Sequence, residues 1–529
     1  MLDKMSPNQR LIVAVLLSVI FFVGYTAIFP PVESEVVQDT KVQTAQNSAA
    51  RVPSINVEAE AGHVITAVET SSSNNLVTVT NEHFILKIDT LGRISSKELR
   101  EEKFRDKEDN HAQLIPSKGT KPLYIRFMDE GLNKEASSVA YTTSANELNI
   151  DGSAKSVTLT QELSSLTVSK KITFFDDGHY DISISLSEDK RYYVYLGQRP
   201  RVNEDEQMMT VVGAMVYTDD EIVTIIEDGD AEGRKSFSGV ELLSAFDQYT
   251  ATIMYGLSKD RTIIVERDTQ DNPVVYFDGT QNIEFSGYIG QKNYKKLESI
   301  NPILTNAIEY GWFTFAAKPL FALLSWLHGI FGNWGWSIIA LTAIIRFVLY
   351  PLTYKGMVSM QKMKDLAPKI KDLKAKYKGD PQRLNQATMD MYKKNGANPL
   401  GGCLPMLMQI PVFFAIYRVL LNAVELQGAP WMLWVNDLSR MDPYYVMPVL
   451  MGASMFLQQR MTPNNFSDPM QEKVMKWLPV IFTFFFVTFP SGLVLYWFVN
   501  NLFSILQQFI VNQQFKNAKD ALKAAKVEK

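Results

Sequence analysis

Hydrophobicity and charge are both segregated along this chain, and together they predict an α-helical polytopic membrane protein bearing a separate all-β domain. The first observation is a set of six apolar runs, one near the N-terminus and five crowded into the last third of 529 residues. The second is charge. From Asn333 onward the chain holds 22 Lys+Arg and 11 Asp+Glu, a net of +11, which leaves −15 for residues 1–332 out of a total of −4. The third is a long middle region of short alternating β-branched and aromatic segments, without interleaved helical periods.

Residues 1–10 form a short basic N-terminus containing Lys4 and Arg10. Leu11 to Phe29 is then an uninterrupted weakly polar run closed by Pro30-Pro31, long enough to span a bilayer at ~1.5 Å per residue. A cleaved leader would have a shorter apolar core and a small-x-small site. Tyr25 to Phe29 offers no clear one, so residues 11–29 read as a retained anchor. Residues 30–61, rich in Val, Ser, Thr, Gln and Ala without period, read as a linker.

Residues 62–300 read as an antiparallel β-sandwich. His83–Ile88, Pro122–Phe127, Ser156–Leu163, Leu166–Phe175, His179–Leu186, Ile222–Ile226, Tyr249–Tyr255 and Arg261–Glu266 have strand character. Asp177-Gly178, Asp228-Gly229 and Asp278-Gly279 are turn dipeptides between them. No catalytic constellation emerges. Gly229–Ser236 resembles a phosphate loop only faintly, without Gly-Lys at the required spacing. His83, His111 and His179 are isolated, and five histidines without paired spacing argue against a metal site. Cys403 is the only cysteine, so the domain folds by core packing without an intrachain disulfide. A binding or scaffolding role is the default.

The remaining runs place spans at 333–354, 399–426, 444–459, 477–489 and 493–512, with the tight turn 490–492 between the last two. The fourth and fifth spans, counting the anchor as the first, are short for a ~30 Å core. Basic residues then set the orientation. Eleven Lys+Arg lie in Lys355–Lys394, three in Arg460–Lys476 and five in Lys516–Lys529, whereas 427–443 holds only Arg440. The hairpin 355–398, the loop 460–476 and the tail 513–529 therefore face the cytoplasm together with the N-terminus, and the β-domain lies outside.

Within 355–398, Met357, Met360, Met363, Leu366, Ile370, Leu373 and Tyr377 form one apolar stripe. Pro368 kinks this first arm or marks its start. Gly379, Asp380 and Pro381 signal a turn, an N-cap and a first helical residue. Leu384, Ala387 and Met391 share a face of a second arm that ends near Gly396. The hairpin reads either as a solvated spacer or as a dock for an anionic or apolar partner.

Arg346 lies inside the second span, and an arginine there costs at least ~2.5 kcal/mol unless it meets water or a partner. No Asp or Glu occurs within the apolar runs, Glu425 lying just past the outer end of the third (Leu404 to Leu421), so Arg346 faces either a wet cavity, with Thr342, Gln409 and Asn500 as its polar lining, or snorkels to the inner interface. Arg418 reads as snorkelling outward. The missing acids also weigh against an ion-driven pump.

Several segments together resemble the YidC-type membrane protein insertases. They include Gly332 to Ser337, Arg346 with Tyr350 to Thr353, Asn398 to Pro405, Asp442 to Tyr445, Asp468 to Gln471 and Phe489 to Tyr496. The similarity is dense from about Tyr310 to Phe515 and weaker over the exported domain. The resemblance implies the Gram-negative form, with six transmembrane helices, a five-helix insertase core and an all-β periplasmic super-sandwich. It implies an interfacial amphipathic helix at 301–332, for which Trp312, Phe315, Leu320, Leu323 and Leu327 are suited.

It also implies a groove open to cytoplasm and lipid, in which Arg346 with Thr342 attracts the polar end of a client; Gln409 and Asn500 are its further polar lining on the reading of the residues above. Ile410, Pro411, Phe413, Phe485, Tyr496 and Trp497 then line a slide for the apolar segment. The position after Tyr496, often tyrosine in the family, is Trp497 here, so contact there would be by stacking. Nascent membrane proteins, the ribosome and targeting machinery, Sec translocon components and membrane lipids are the implied partners. Lys371, Lys374, Lys378, Lys519 and Lys523 are the partner-binding candidates. No cofactor, metal or covalent chemistry is implied. A channel or an anchored sugar-binding protein is the rival reading; the first lacks an acidic coupling residue and the second leaves five spans and Arg346 unexplained.

Overall fold

The computed structural model describes residues 75–527, apart from 102–103, 105–109, 202–209, 309–313, 398 and 462–468. The anchor at 11–29, the linker at 30–61 and Trp312 lie outside the described residues.

The alternating segments build three sheets of four, five and nine strands. Alternation does its usual work in the long ribbon Lys155–Glu162, Thr167–Phe174 and His179–Leu186. There Val157, Leu159, Val168, Ile172, Ile182 and Ile184 point into the core and polar neighbours point out. Four further strands, Gly213–Thr218, Val240–Phe246, Thr250–Tyr255 and Asn282–Gln291, continue the nine-stranded sheet and are largely buried. Both faces of Val240–Phe246 are covered: Leu243 and Ala245 join the core between the sheets, while Leu242 and Phe246 join a second core outside. A short helix α1, Glu130–Ala136, is capped by the Asp129 side chain, which accepts from Leu132 N at 2.8 Å.

Two sequence expectations need correction here. One pairing is parallel, Asn75–Thr80 against Glu147–Asn149, in an otherwise antiparallel domain. Asp278-Gly279 is not a turn; both residues end the strand Pro273–Gly279, paired with Tyr193 and Tyr192, and the chain then passes to the nine-stranded sheet through Thr280-Gln281. The reason is space. A Cβ on Gly279 would lie 2.4 Å from the Tyr192 ring, so the glycine serves packing instead of turning.

After the sheets, α2 (Tyr294–Ile300) and a 3₁₀ segment, Pro302–Ala307, lead to α3 (Thr314–Phe331). The bundle follows as α4 (Trp334–Lys376), α5 (Pro381–Lys394), α6 (Pro399–Asn422), α7 (Val446–Met461), α8 (Pro469–Phe485) and α9 (Ser491–Val527). Helix α4 runs unbroken through Pro351 and Pro368, so Pro368 does not mark the start of the first hairpin arm. At ~1.5 Å per residue its 43 residues reach about 64 Å, far beyond an apolar core. Asp380 caps α5 by accepting from Arg383 N at 3.1 Å, with Pro381 at the first position. Lys362 Nζ donates to Gly396 O at 3.2 Å and ties the two arms together.

Among the described residues, Thr314–Phe331, Trp334–Lys376 and Ser491–Asn517 are long and apolar enough to cross a membrane, with shorter apolar helices at Gln409–Asn422 and Lys476–Thr488. By length and composition Thr314–Phe331 thus qualifies as a span as well as an interfacial helix. The described helical part of the expected 301–332 element begins only at Thr314; the residues after Pro302 form the 3₁₀ turns.

The second core joins domain to bundle. It runs from Leu242, Phe246 and Ile253 through Leu297, Leu304 and Ala307 to Phe321, Leu341 and Leu420. Gln248 Nε2 donates to Leu421 O at 2.9 Å near the C-terminal end of α6, satisfying a carbonyl that the helix leaves free. Glu425 Oε1 accepts from Tyr294 N at 3.1 Å in the first turn of α2.

The β-domain also buries Lys97, Lys170 and Lys292. Lys170 lies fully buried on the inward face of its strand, its Nζ donating to Gly92 O at 2.9 Å and Leu123 O at 2.8 Å. Burial lowers its pKa from 10.5 to about 7, against a smaller raising effect of Asp89. The unfolded chain therefore holds this proton between pH 7 and 10.5 while the folded domain releases it, so stability rises with pH across that window. Thermal unfolding of the full chain, followed in the β-sheet circular-dichroism band, is expected to shift upward from pH 7 to pH 9. Lys170→Met should shrink that rise, and an unchanged rise would remove Lys170 as its source.

Candidate functional site

Helices α4 and α9 meet along a seam that contains the one arginine the apolar pattern of α4 cannot explain. Arg346 lies 12 residues into α4, ~18 Å from its start, and Asn500 lies 9 residues into α9, ~13 Å from its start. Arg346 is 7% exposed. Its Nε donates to Asn500 Oδ1 at 2.7 Å and its Nη2 to Asn500 O at 3.1 Å. Asn500 is thus a direct partner and not merely lining, which corrects the picture of an arginine without one. Both acceptors are neutral. They meet two of the five guanidinium donors and leave the charge uncompensated by either bond.

The other candidates are distributed around this contact. Thr342, one turn above on the same face of α4, donates its hydroxyl back to Ile338 O at 2.7 Å and is buried. Gln409 Nε2 donates to the Tyr496 hydroxyl at 3.2 Å, linking α6 to α9. Tyr496 is buried, so it serves that link and is not an open slide surface. Ile410 and Pro411 are exposed on α6, and Phe485 is exposed on α8. Phe413 and Trp497 meet edge-on at 4.7 Å.

The sequence reading missed the rest of that aromatic group. Phe482 lies 6.0 Å and Phe486 5.1 Å from the Trp497 ring, making a cluster that bridges α6, the α8 end and α9. The spacing Phe482, Phe485, Phe486, Phe489 marks one helical face and was the available signal. Also missed was Asn501 Nδ2 donating to Ser454 Oγ at 3.0 Å, a buried bond fastening α9 to α7. Gly452 lets α8 approach α7 so closely that a Cβ there would lie 1.7 Å from Thr483 Oγ1.

On the hairpin, Lys371, Lys374 and Lys378 are exposed while Leu366, Ile370 and Leu373 of the stripe are wholly or partly buried. Lys519 and Lys523 lie on α9, outside the described side chains.

An apolar helix bundle with a buried arginine in its seam, attached to a large β-sheet domain, defines a polytopic membrane protein. The profile described as 60Kd inner membrane protein matches residues 326–519, and that described as YidC periplasmic domain matches residues 76–323. The membrane protein insertase YidC of Wolinella succinogenes is 46% identical over 528 residues, covering 99% of this chain and 98% of that one. Its counterparts in Campylobacter jejuni and Helicobacter pylori are 45% and 43% identical, covering 97% and 98% of this chain and the same shares of theirs. The chain belongs to the YidC family of membrane protein insertases, and it is an inner-membrane protein with a periplasmic β-domain.

The Asn500 contact is testable by stability alone. Asn500→Leu keeps the γ-branched shape but removes the side-chain acceptor, and leaving a buried donor unmet costs ~1–3 kcal/mol. It should lower the unfolding temperature in detergent. Asn500→Asp supplies the missing charge and should raise it, so equal temperatures for both variants would mean that the seam does not depend on this bond.

Proposed function

We propose that this chain moves hydrophobic segments of nascent proteins into the inner membrane, with the Arg346 seam receiving the polar flank of each incoming segment. The observation that carries the reading is the buried guanidinium whose two hydrogen bonds both go to neutral oxygens of Asn500. A charge so placed attracts acidic groups through a low-dielectric medium more strongly than it would in water. Thr342, Gln409 and Asn500 line the polar path, while Ile410, Pro411, Phe413, Phe485 and Trp497 border the route of the apolar segment and buried Tyr496 accepts from Gln409. No covalent step is needed; bulk-water contacts are replaced in stages.

In this reading both termini face the cytoplasm, as the Lys/Arg distribution favours, and α3 lies in the periplasmic interface. The hairpin 355–398 and the tail 513–529 meet the ribosome and targeting machinery through Lys371, Lys374, Lys378, Lys519 and Lys523. Sec translocon components and membrane lipids are further partners. Helix α7 has 16 residues, ~24 Å, which is short for a ~30 Å core and favours local thinning of the bilayer.

Arg346 variants separate this reading from a structural arginine. Arg346→Lys, which keeps the charge without the planar fork, should retain much of the insertion activity. Arg346→Ala should lose more, and Arg346→Glu most, because it repels the same acids. At matched protein level the defect should shrink for a client stripped of Asp and Glu in its translocated segment. Equal insertion of both clients by the Ala and Glu variants would refute the electrostatic role.

The hairpin lysines are expected to act by exposed charge, which physiological salt screens within ~8 Å. Reversing Lys371, Lys374 and Lys378 together should reduce ribosome co-sedimentation, and binding by the parent should weaken as salt rises. Unchanged co-sedimentation would leave the hairpin as a spacer.

A further inference from the structure

The loop between α6 and α7, at the β-domain end of the bundle, is fastened at several points. Asn333 Nδ2, at the start of α4, donates to Pro430 O at 3.0 Å and Trp431 O at 3.2 Å. The Trp431 ring fills the space above Gly335, where a Cβ would lie 2.1 Å away, and meets Trp336 edge-on at 5.9 Å. Gly492 N, at the start of α9, donates to Leu438 O at 2.9 Å, and Ser491 N to Arg440 O at 2.7 Å. Buried Asp442 accepts from Tyr444 N at 3.0 Å and from Met447 N at 2.6 Å, which fixes the entry to α7.

This frame holds apolar side chains outward. Met432, Met441 and Tyr444 are exposed, and Leu433 is 74% exposed at φ +55°. Tyr445 is also exposed, at φ +57°. Side-chain-bearing residues avoid the left-handed region, where glycine or asparagine would sit without strain. Backbone strain and water contact thus both oppose the arrangement, yet the hydrogen bonds around it enforce it. A lone exposed leucine means little, but a braced apolar group beside further exposed apolar surface calls for a covering medium. Trp336 on α4 and Trp326, Ile330 and Phe331 on α3 are exposed at the same end of the bundle. The loop therefore adds to an exposed apolar surface at this end of the bundle.

We propose that this loop is a membrane wedge, with Met432, Leu433 and Tyr445 inserted among the lipid acyl chains of the leaflet on the β-domain side. The proposal rests on the reading that the bundle spans the membrane. Its consequence is local. Apolar volume added at one end of short α7 displaces lipid there, and the leaflet thins beside the seam.

The test uses an environment-sensitive nitrobenzoxadiazole label on Leu433→Cys in the full chain carrying Cys403→Ser, reconstituted alone in phosphatidylcholine–phosphatidylglycerol vesicles. Blue-shifted emission, quenching by lipids with a nitroxide high on the acyl chain, and iodide quenching several-fold weaker than at a Lys235→Cys control on the β-domain are expected. A second label at Phe347→Cys on α4 reports on spanning itself. Lipid quenching at 347 with iodide quenching at 433 equal to the control would overturn the wedge and leave the spanning bundle intact. Iodide access at both would overturn both. Shielding at 433 that vanishes as protein is diluted in lipid, without nitroxide quenching, would assign the patch to a second copy and overturn the wedge. If Leu433→Cys does not fold, Tyr445→Cys gives the same readings.

Discussion

A guanidinium inside an apolar bundle sets the geometry around it, because its donors must be met wherever the helices carry it. Asn500 meets two of them with one residue, using its amide oxygen and its main-chain oxygen. That second contact fixes more than a side chain. It requires the backbone of α9 to lie within reach of α4 at this level, and Ser504 Oγ donates to the same carbonyl at 3.0 Å. Further bonds keep α9 in place on either side, to α7 through Asn501 and Ser454 and to α4 through Tyr354 and Gln514 at 2.8 Å. An aspartate at position 500 would satisfy the same geometry and cancel the charge. Asparagine satisfies it and keeps the charge available, which is the property a receptor for acidic segments needs.

The two ends of the bundle are held differently. At the β-domain end, α6 is gripped by Gln248, the 3₁₀ turn at Val424–Leu426 leads into a loop bonded to the starts of α4 and α9, and a continuous apolar core joins domain to helices. At the other end, α4 extends as a long helix into the hairpin, where Lys362 bonded to Gly396 O ties the arms. The unbroken course of α4 through Pro368 joins the hairpin arm and Arg346 in one helix.

Arg346 was legible in the sequence because a charge within an apolar run is rare and expensive, so one letter carries the signal. Its partner was legible only as polar lining, because choosing among Thr342, Gln409 and Asn500 requires knowing which helix faces are turned together. The Gln409–Tyr496 link and the Phe482–Phe486–Trp497 cluster depend on the same information. The strands with one solvated face were readable from alternation, as in Thr167–Phe174. Val240–Phe246 and Thr250–Tyr255, covered on both sides, lose that alternation. Nothing local could reveal that Gln248 bonds to Leu421, 173 residues away.

Three features break the local rules, and how each is compensated separates structural from functional use. Lys170 occupies an inward position of a strand, yet two loop carbonyls accept its hydrogen bonds and the Tyr141 ring lies 4.9 Å from its ammonium. Lys97 bonds to Gly178 O at 3.2 Å over the Phe84 ring at 4.1 Å. Both are closed within the fold and pin loops to the sheets, so they need nothing from outside. Leu433 and Tyr445 break the backbone rule at the surface, where their side chains stay exposed among the described residues, and lipid is the covering medium proposed for them. Arg346 breaks the burial rule in the seam, with two of its five donors met by Asn500 and its charge unmatched by either bond. In the proposed function this last feature is the deficit that an incoming acidic segment makes good.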